Sequence, residues 1–463
     1  MNASHYDAIV IGSGQGGTPL SMALAKAGMR TALIERKHVG GTCVNEGCTP
    51  TKTMVASGRV AYLARRAADY GVHTGPISID LEKVRQRKRD IVASFRGGSE
   101  TRIGKTQNLE LMMGEASFSG AKAVAVRTSD GGQQSLSADR IFINAGTRAS
   151  RPKLEGLDQV TALDNESIME LGAVPEHLLI LGGGYIGLEF GQLFRRFGSR
   201  VTIVQSAGQL LTREDPDIAE EVAKILRQDS VEVVLSAKAK RVEQAGEKIQ
   251  LQIESGGKSS TLTGSHLLVA TGRTPNSDTL SLSAAGVKTD GQGFIQVNDR
   301  LEASADGIYA LGDIKGGPAF THISYDDFRI IRANLLEGKT ASTKGRQVPY
   351  CVFIDPQLGR VGLTETEARA QGRTFRVAKL PMTSVARALE VDETRGFMKA
   401  IVDAGTNQIL GAAVLGLEGG EVMSVLETAM IGKLSYNTLR DATYAHPTLT
   451  ESLNNLFMGM DKT

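Results

Sequence analysis

The residue types best suited to chemistry are two cysteines, Cys43 and Cys48, in the stretch GGTCVNEGCTPTK at 40–52. Four residues separate them. Pro50 is acceptable in the first turn of a helix formed by the following TKTMVASGRVAYLARRAADYG, so Cys48 falls at or just before a helix N-terminus. The positive end of a helix dipole lowers a thiol's pKa and favours the thiolate. Lys52, one helical turn on, adds a positive charge to the same region. A dithiol that cycles with a disulfide is the natural reading. A structural zinc needs about four ligands, and no third cysteine is local. Two buried, unreactive thiols remain the alternative.

Such a pair must be held by an ordered scaffold, and the sequence offers one twice. YDAIVIGSGQGGTPLSMALAKAGMRTALIER (6–36) and HLLILGGGYIGLEFGQLFRRFGSRVTIVQS (177–206) each read strand, glycine turn, helix, strand. The glycines are Gly12, Gly14 and Gly17 in the first and Gly182, Gly184 and Gly187 in the second. In a dinucleotide-binding turn the first glycine allows the tight turn. The second lets the backbone approach a pyrophosphate, and the third permits close helix–strand packing. The helix N-terminus then faces the phosphates with free N–H groups. In each module the second strand is expected to end 18 residues after the third glycine, at Glu35 and Gln205. Glu35 can accept hydrogen bonds from ribose hydroxyls, which suits a non-phosphorylated adenosine. Gln205 is neutral and does not repel a 2′-phosphate. Arg200 and Arg213 lie near it in sequence, either to attract such a phosphate or as solvated surface residues.

The whole-chain properties are those of a soluble globular protein of several domains. The 463 residues suggest roughly three domains at about 150 each. Net charge is +2, from 53 basic and 51 acidic residues, which gives no reason to expect a nucleic-acid or membrane partner. No run of about 18 uncharged apolar residues is present. The N-terminus lacks a basic region followed by a cleavable apolar segment, so a cytoplasmic location is expected. Three cysteines are too few for a disulfide framework, and a close pair in a reducing compartment is catalytic or metal-binding. LEKVRQRKRDIVASFRGG (81–98) reads as a solvated basic helix face, and 109–147 as strands with a hairpin at Gly131-Gly132. From Pro349 onward a further domain begins, first sheet-like and then helical at GGEVMSVLETAMIGK.

The motifs, taken in order, resemble the FAD-dependent pyridine nucleotide–disulfide oxidoreductases over nearly the whole chain. The order is Gly12–Gly17 with Glu35, CVNEGC with Lys52, Gly182–Gly187, ATGRTPN at 270–276, ALGD at 310–313, and HPTLTE at 446–451. Within that family FTHISYDDFRII and TREDPDIAE resemble the mercuric-reductase-like group, including its copper-reducing members. The resemblance implies two doubly wound α/β domains and a C-terminal α+β dimerisation domain. Their expected limits are 1–150 and 277–345 for FAD, 151–276 for NAD(P), and 346–463 for dimerisation. It implies FAD with NADPH or NADH, a homodimer, and a small-molecule or metal-ion substrate.

It also implies roles. Cys43 matches the thiol that meets the substrate, and Cys48 the thiol beside the flavin; together they would hold a substrate ion transiently. Lys52 matches the lysine at the flavin and Glu189 its ion-pair partner. Asp313 matches the carboxylate that binds the flavin's ribityl chain. Gly146, Gly272 and Arg273 match cofactor-contacting positions, and Tyr185 the residue over the nicotinamide pocket, unless Tyr185 simply packs on its sheet. His446 and Glu451 match the acid–base dyad, which serves the other subunit. His322 follows ALGD near the expected flavin, and Cys351 reads as a core thiol.

Departures from the family bear on the substrate. The sequence carries neither the C-terminal cysteine pair nor the N-terminal metal-binding module of true mercuric reductases, and it keeps a His-Pro dyad that they replace. The first helix has no arginine where glutathione reductases place one, and Tyr444 stands where lipoamide enzymes show histidine. Glu46, Thr49 and Thr51 also vary the usual disulfide loop. The expectation is a reductase of Hg(II) or Cu(II) type. Dihydrolipoamide oxidation or other disulfide reduction is the runner-up, and a flavin-bound redox sensor with little turnover is the alternative of another class.

Overall fold

The computed structural model describes residues 4–462. The chain forms two compact units. One runs to Met54 and takes in Glu82–Ser150 and Gly272–Arg346; the other holds Val55–Leu81, Arg151–Thr271 and the chain from Gln347.

The first module folds as its pattern demands. β1 (Ser4–Ile11) leads through the glycine turn into α1 (Gly17–Lys26) and back into β2 (Thr31–Glu35). β2 is buried along its whole length, as a strand covered on both faces must be. α2 (Gly41–Asn45) and α3 (Cys48–Arg65) follow, then α4 (Leu81–Gly104). β3 (Leu109–Gly120), β4 (Ala123–Thr128) and β5 (Gln133–Ile143) form the expected meander, with β5 returning parallel to β1. β3 pairs parallel with β2. β6 (Thr147–Ala149) leaves this sheet.

The second module repeats the first. β7 (His177–Leu181), α5 (Tyr185–Phe197) and β8 (Arg200–Val204) are followed by α6 (Pro216–Gln228) and β9 (Glu232–Val234). A three-stranded antiparallel sheet comes next, β10 (Ala237–Ala245), β11 (Lys248–Ser255) and β12 (Lys258–Gly264), before β13 (His266–Val269) closes the parallel sheet beside β7. β8 ends at Val204, one residue short of Gln205.

The chain then re-enters the first unit. β14 (Arg273–Pro275) pairs antiparallel with β6, and β15 (Ile308–Ala310) lies parallel to β5. α7 (Thr321–Leu336) packs on the sheet face that α1 covers, around buried Phe142, Leu311 and Phe328. From Tyr350 to Gly416 a five-stranded antiparallel sheet forms, covered by helices Gly419–Ile431 and Ser452–Met458. Burying a side chain such as Phe142 or Phe457 contributes about 1.5–3 kcal/mol, so these apolar faces fix the layers.

The basic stretch is only partly the solvated face expected from its charge. Lys88 is buried. Arg87 donates to the Thr53 carbonyl (2.9 Å) and Arg96 to Asn45 Oδ1 (2.8 Å). Charge alone did not reveal these contacts, because both partners lie at least 34 residues away in sequence.

Candidate active site

In the first unit the two thiols sit at a junction of turns. Cys48 is the first residue of α3, where the sequence places it, and Thr51 N–H closes the turn on the Gly47 carbonyl (3.0 Å). Cys43 lies in α2, which starts after Gly40 at φ 106°. A side chain at Gly41 would meet Gly14 Cα at 2.7 Å, so the thiol loop rests directly on the glycine turn. Gly40 N–H donates to Ser13 Oγ (3.1 Å), and Gln15 donates to the Gly40 carbonyl (3.2 Å). Asn45 Nδ2 reaches the Val39 and Gly41 carbonyls and is itself held by Arg96. The two cysteines are not joined by a disulfide here, and Cys48 is exposed while Cys43 is half-buried.

The pair is electrostatically unequal. The hydrogen bond with Cys48, then burial, then the charge on Cys48 push the Cys43 thiol well up from its ordinary value. The Thr321 hydroxyl and the Lys52 ammonium pull the other way. Cys43 is therefore the thiol that keeps its proton while its neighbour is charged. Thr321 Oγ1 lies 3.3 Å from Cys48 Sγ.

The glycine turn is tied to the centre of the sheet by a residue that motif reading missed. Buried Asn144, at the end of β5, accepts from Gly17 N–H (2.9 Å) and donates to the Leu311 carbonyl (2.8 Å). A Cβ at Gly14 would stand 2.8 Å from its Oδ1, so in this module the missing side chain makes room for Asn144 as well. A polar residue ending the apolar run RIFIN was the signal in the sequence. Gly12 and Gly17 are fixed by backbone: a Cβ would come within 2.4 Å of Asn144 O and 2.0 Å of Gly12 O, respectively. Glu35 accepts from Ser13 N–H (3.0 Å) and Oγ (2.6 Å) and from Lys37 N–H (2.8 Å).

Asp313 lies in the turn after β15. Burial pushes its carboxyl up, against the charges of Arg273 and Lys315 and one hydrogen bond from Thr147 (3.2 Å). Arg273 holds Thr147 in place, donating to its Oγ1 (2.7 Å) and carbonyl (2.8 Å). Gly146 and Gly272 flank the β6–β14 pair, and a Cβ at either would have no atom within 4 Å. Asp327, fully buried on α7, secures the turn by accepting from Gly312 N–H (2.8 Å) and pairing with Lys315 (3.3 Å) and Arg346 (2.6 Å). His322 is exposed and stacks on Phe320.

In the second unit Gly182 and Gly187 are again backed by backbone carbonyls, at 2.3 and 2.2 Å, while nothing lies within 4 Å of a Cβ at Gly184. That side of the turn is open to a ligand. Tyr185 opens α5 and is 37% exposed, so it is not packed away against the sheet. Gln205 Oε1 accepts from Gly183 N–H (3.1 Å). Arg200 is spent elsewhere: it starts β8, at the strand end opposite Gln205, and bonds His177 Nδ1 (2.8 Å). Arg213 stays exposed in the following loop. Glu189 is buried and accepts from Phe353 N–H (2.9 Å). Glu451 bonds His446 Nδ1 (2.9 and 3.1 Å), and the imidazole is 68% exposed, which leaves Nε2 to meet another molecule. Cys351 is half-buried near Gln357.

A paired dithiol beside one dinucleotide-type turn, a second such turn, and a His–Glu dyad define a class, and the chain belongs to it. Residues 6–327 match the pyridine nucleotide-disulphide oxidoreductase family, and residues 348–457 match that family's dimerisation domain. It is an oxidoreductase of a family that uses FAD and NAD(P)H and acts on disulfides or metal ions. Among its relatives is the probable pyridine nucleotide-disulfide oxidoreductase RclA of Escherichia coli K12, 38% identical over 98% of both chains. A mercuric reductase of Bacillus cereus is 35% identical over 99% of this chain and 72% of that one. The solved Cu(II) complex of E. coli RclA, a HOCl-induced flavoprotein disulfide reductase, superposes with a TM-score of 0.89 at 38% identity, covering 99% of each chain.

Proposed function

We propose that this enzyme passes electrons from NAD(P)H, through FAD and the Cys43–Cys48 pair, to a metal ion of Hg(II) or Cu(II) type, and that it does so as a cytoplasmic homodimer. The observation that carries the reading is the pair itself. Two unequal thiols within hydrogen-bonding reach of each other offer the soft ligands that Hg(II) and the Cu(I) product favour. Full-length similarity to a mercuric reductase and to a flavoprotein solved with Cu(II) supports the same substrate class. The dimerisation domain supports the dimer. Among the described residues no helix is long and apolar enough to cross a membrane. We place an FAD domain at 1–150 and 277–345, an NAD(P) domain at 151–276 and a dimerisation domain at 346–463; the unit breaks after Ser150, Thr271 and Arg346 fall near these limits, whereas Val55–Leu81 groups with the second unit.

The residues fit the cofactors. Asp313 is a carboxylate whose burial is met by one hydrogen bond, and a polyhydroxyl chain would complete its partners. Gly12, Gly14 and Gly17 with the α1 N-terminus would take the pyrophosphate, and Glu35 the ribose. Gly146, Gly272 and Arg273 serve that same site, Arg273 by fixing Thr147 against Asp313. Gly182, Gly184 and Gly187 would hold NAD(P)H, with Tyr185 beside the nicotinamide, and Glu189 ties α5 to Phe353 N–H. Bound FAD would supply the two-electron relay between the nicotinamide and the disulfide. Within the chain, Lys52 favours negative charge near the thiols, Cys48 holds the thiolate, and Cys43 meets the acceptor. Glu451 fixes the His446 tautomer so that Nε2 can take and return a proton at the partner protomer's Cys43.

The reading is tested by anaerobic turnover with a Cu(I)-specific chelator present. One NADPH is expected to yield two Cu(I), and NADPH oxidation without trapped Cu(I) would contradict it. The well-formed His446–Glu451 dyad favours a second reading, dihydrolipoamide oxidation.

Coenzyme preference is expected to be weak or to lean to NADPH, because Gln205 presents no carboxylate to a 2′-phosphate. Gln205→Glu keeps the acceptor for Gly183 N–H and adds the repulsion, so it should shift selectivity toward NADH by at least about tenfold in kcat/KM. A native preference for NADH of about a hundredfold, roughly 2.7 kcal/mol, would contradict this.

A further inference from the structure

Thr321 is the first residue of the sixteen-residue helix α7, and its hydroxyl lies 3.3 Å from Cys48 Sγ. The same hydroxyl favours the charged form of Cys43. Cys48 in turn opens α3, so the positive ends of two helices meet at this sulfur. The N-cap of α7 is Phe320, which makes no side-chain cap. A threonine hydroxyl can donate or accept, whereas a thiolate can only accept. Hydrogen bonds to a charged acceptor are roughly twice as strong as neutral ones. The contact therefore stabilises the reduced pair over the disulfide.

We propose that Thr321 is a further catalytic residue, whose hydroxyl donates to the Cys48 sulfur as the S–S bond breaks and so holds Cys48 as the thiolate of the reduced pair. The proposal rests on Cys43 and Cys48 being the redox couple. Two electrons enter the S–S bond and the bond breaks. One proton goes to Cys43, and Cys48 keeps the negative charge under the Thr321 O–H. The electrons come from reduced nicotinamide during turnover or from a dithiol in a redox buffer. Cys43 is left as the nucleophile toward the acceptor, and Cys48 is the sulfur from which the next disulfide is closed.

The test uses purified holoenzyme carrying Thr321→Val, Thr321→Ala or Thr321→Ser, equilibrated with dithiothreitol buffers at one fixed pH. Alkylation of the Cys43 and Cys48 peptides is then counted by mass. Val and Ala are expected to shift the equilibrium toward the disulfide by about tenfold, a potential about 30 mV more negative. Ser is expected to stay within about threefold of the native enzyme, because it keeps the donor. In a Cys43→Ser background, Thr321→Val should also move the thiolate–flavin charge-transfer band to longer wavelength, since an unbonded thiolate gives up its electron more readily. Val and Ala both lying within about twofold of the native midpoint, or Ser behaving as Val does, overturns the hydrogen bond's role. A native enzyme with no thiol–disulfide couple at these two cysteines overturns the reading beneath it as well.

Discussion

Cys43→Ala is expected to lower NAD(P)H-dependent reduction of every acceptor by about 10⁴-fold or more, the scale seen when a covalent nucleophile is removed. The expectation follows from the inequality of the pair. Cys43 is held protonated by its bond to Cys48, by burial and by the charge on Cys48, so it is the thiol a base must activate. The spectra of single variants separate the roles. Cys43→Ser leaves a Cys48 thiolate against oxidised flavin and should show long-wavelength charge-transfer absorbance without added reductant. Cys48→Ser should lack it. The reverse pattern in an absorbance scan would exchange the two assignments.

His446→Ala is expected to split the activities. Disulfide exchange must deprotonate one thiol and protonate another, so loss of the dyad should cost lipoamide or other disulfide turnover about 10²–10⁴-fold. A soft metal ion is reduced while bound to thiolates and needs less proton handling, so most metal-ion activity should remain. The contact that motivates this is Nδ1 held by Glu451, with the exposed ring left to act through Nε2. Steady-state rates with both acceptor types check it, with dimer and flavin content measured alongside. Equal, near-complete loss of both would mean that the dyad also serves the metal reaction.

What was legible in the sequence was local. Glycines at fixed spacing between an apolar strand and an amphipathic helix imply a βαβ turn, and both turns formed. Cys48 could be placed at a helix start because Pro50 belongs in a first turn. What was illegible was long-range. Thr321 meets Cys48 across 273 residues, and Asn144 meets Gly17 across 127. No periodicity records such contacts. A threonine at a helix start also reads as an ordinary cap, which hides its role at the sulfur. Asp327 was hidden in the same way, as one acid of a polar pair in ISYDDF that the fold buries completely. The basic residues of α4 misled in the opposite sense: charge suggested solvent, yet Arg96 braces the thiol loop and Arg87 the helix that follows it. Arg200 was close to Gln205 in sequence, but a five-residue strand sets them roughly 16 Å apart at about 3.3 Å per residue.

The most direct measurement is the ratio of kcat/KM values for the purified flavoprotein assayed side by side with Hg(II), Cu(II), oxidised lipoamide and glutathione disulfide, with dihydrolipoamide run in the oxidising direction. The account predicts that a metal ion exceeds each disulfide and dihydrolipoamide by at least about tenfold, and that Cys43→Ala removes this activity. Dihydrolipoamide turnover exceeding that of both metal ions by a similar factor would contradict it.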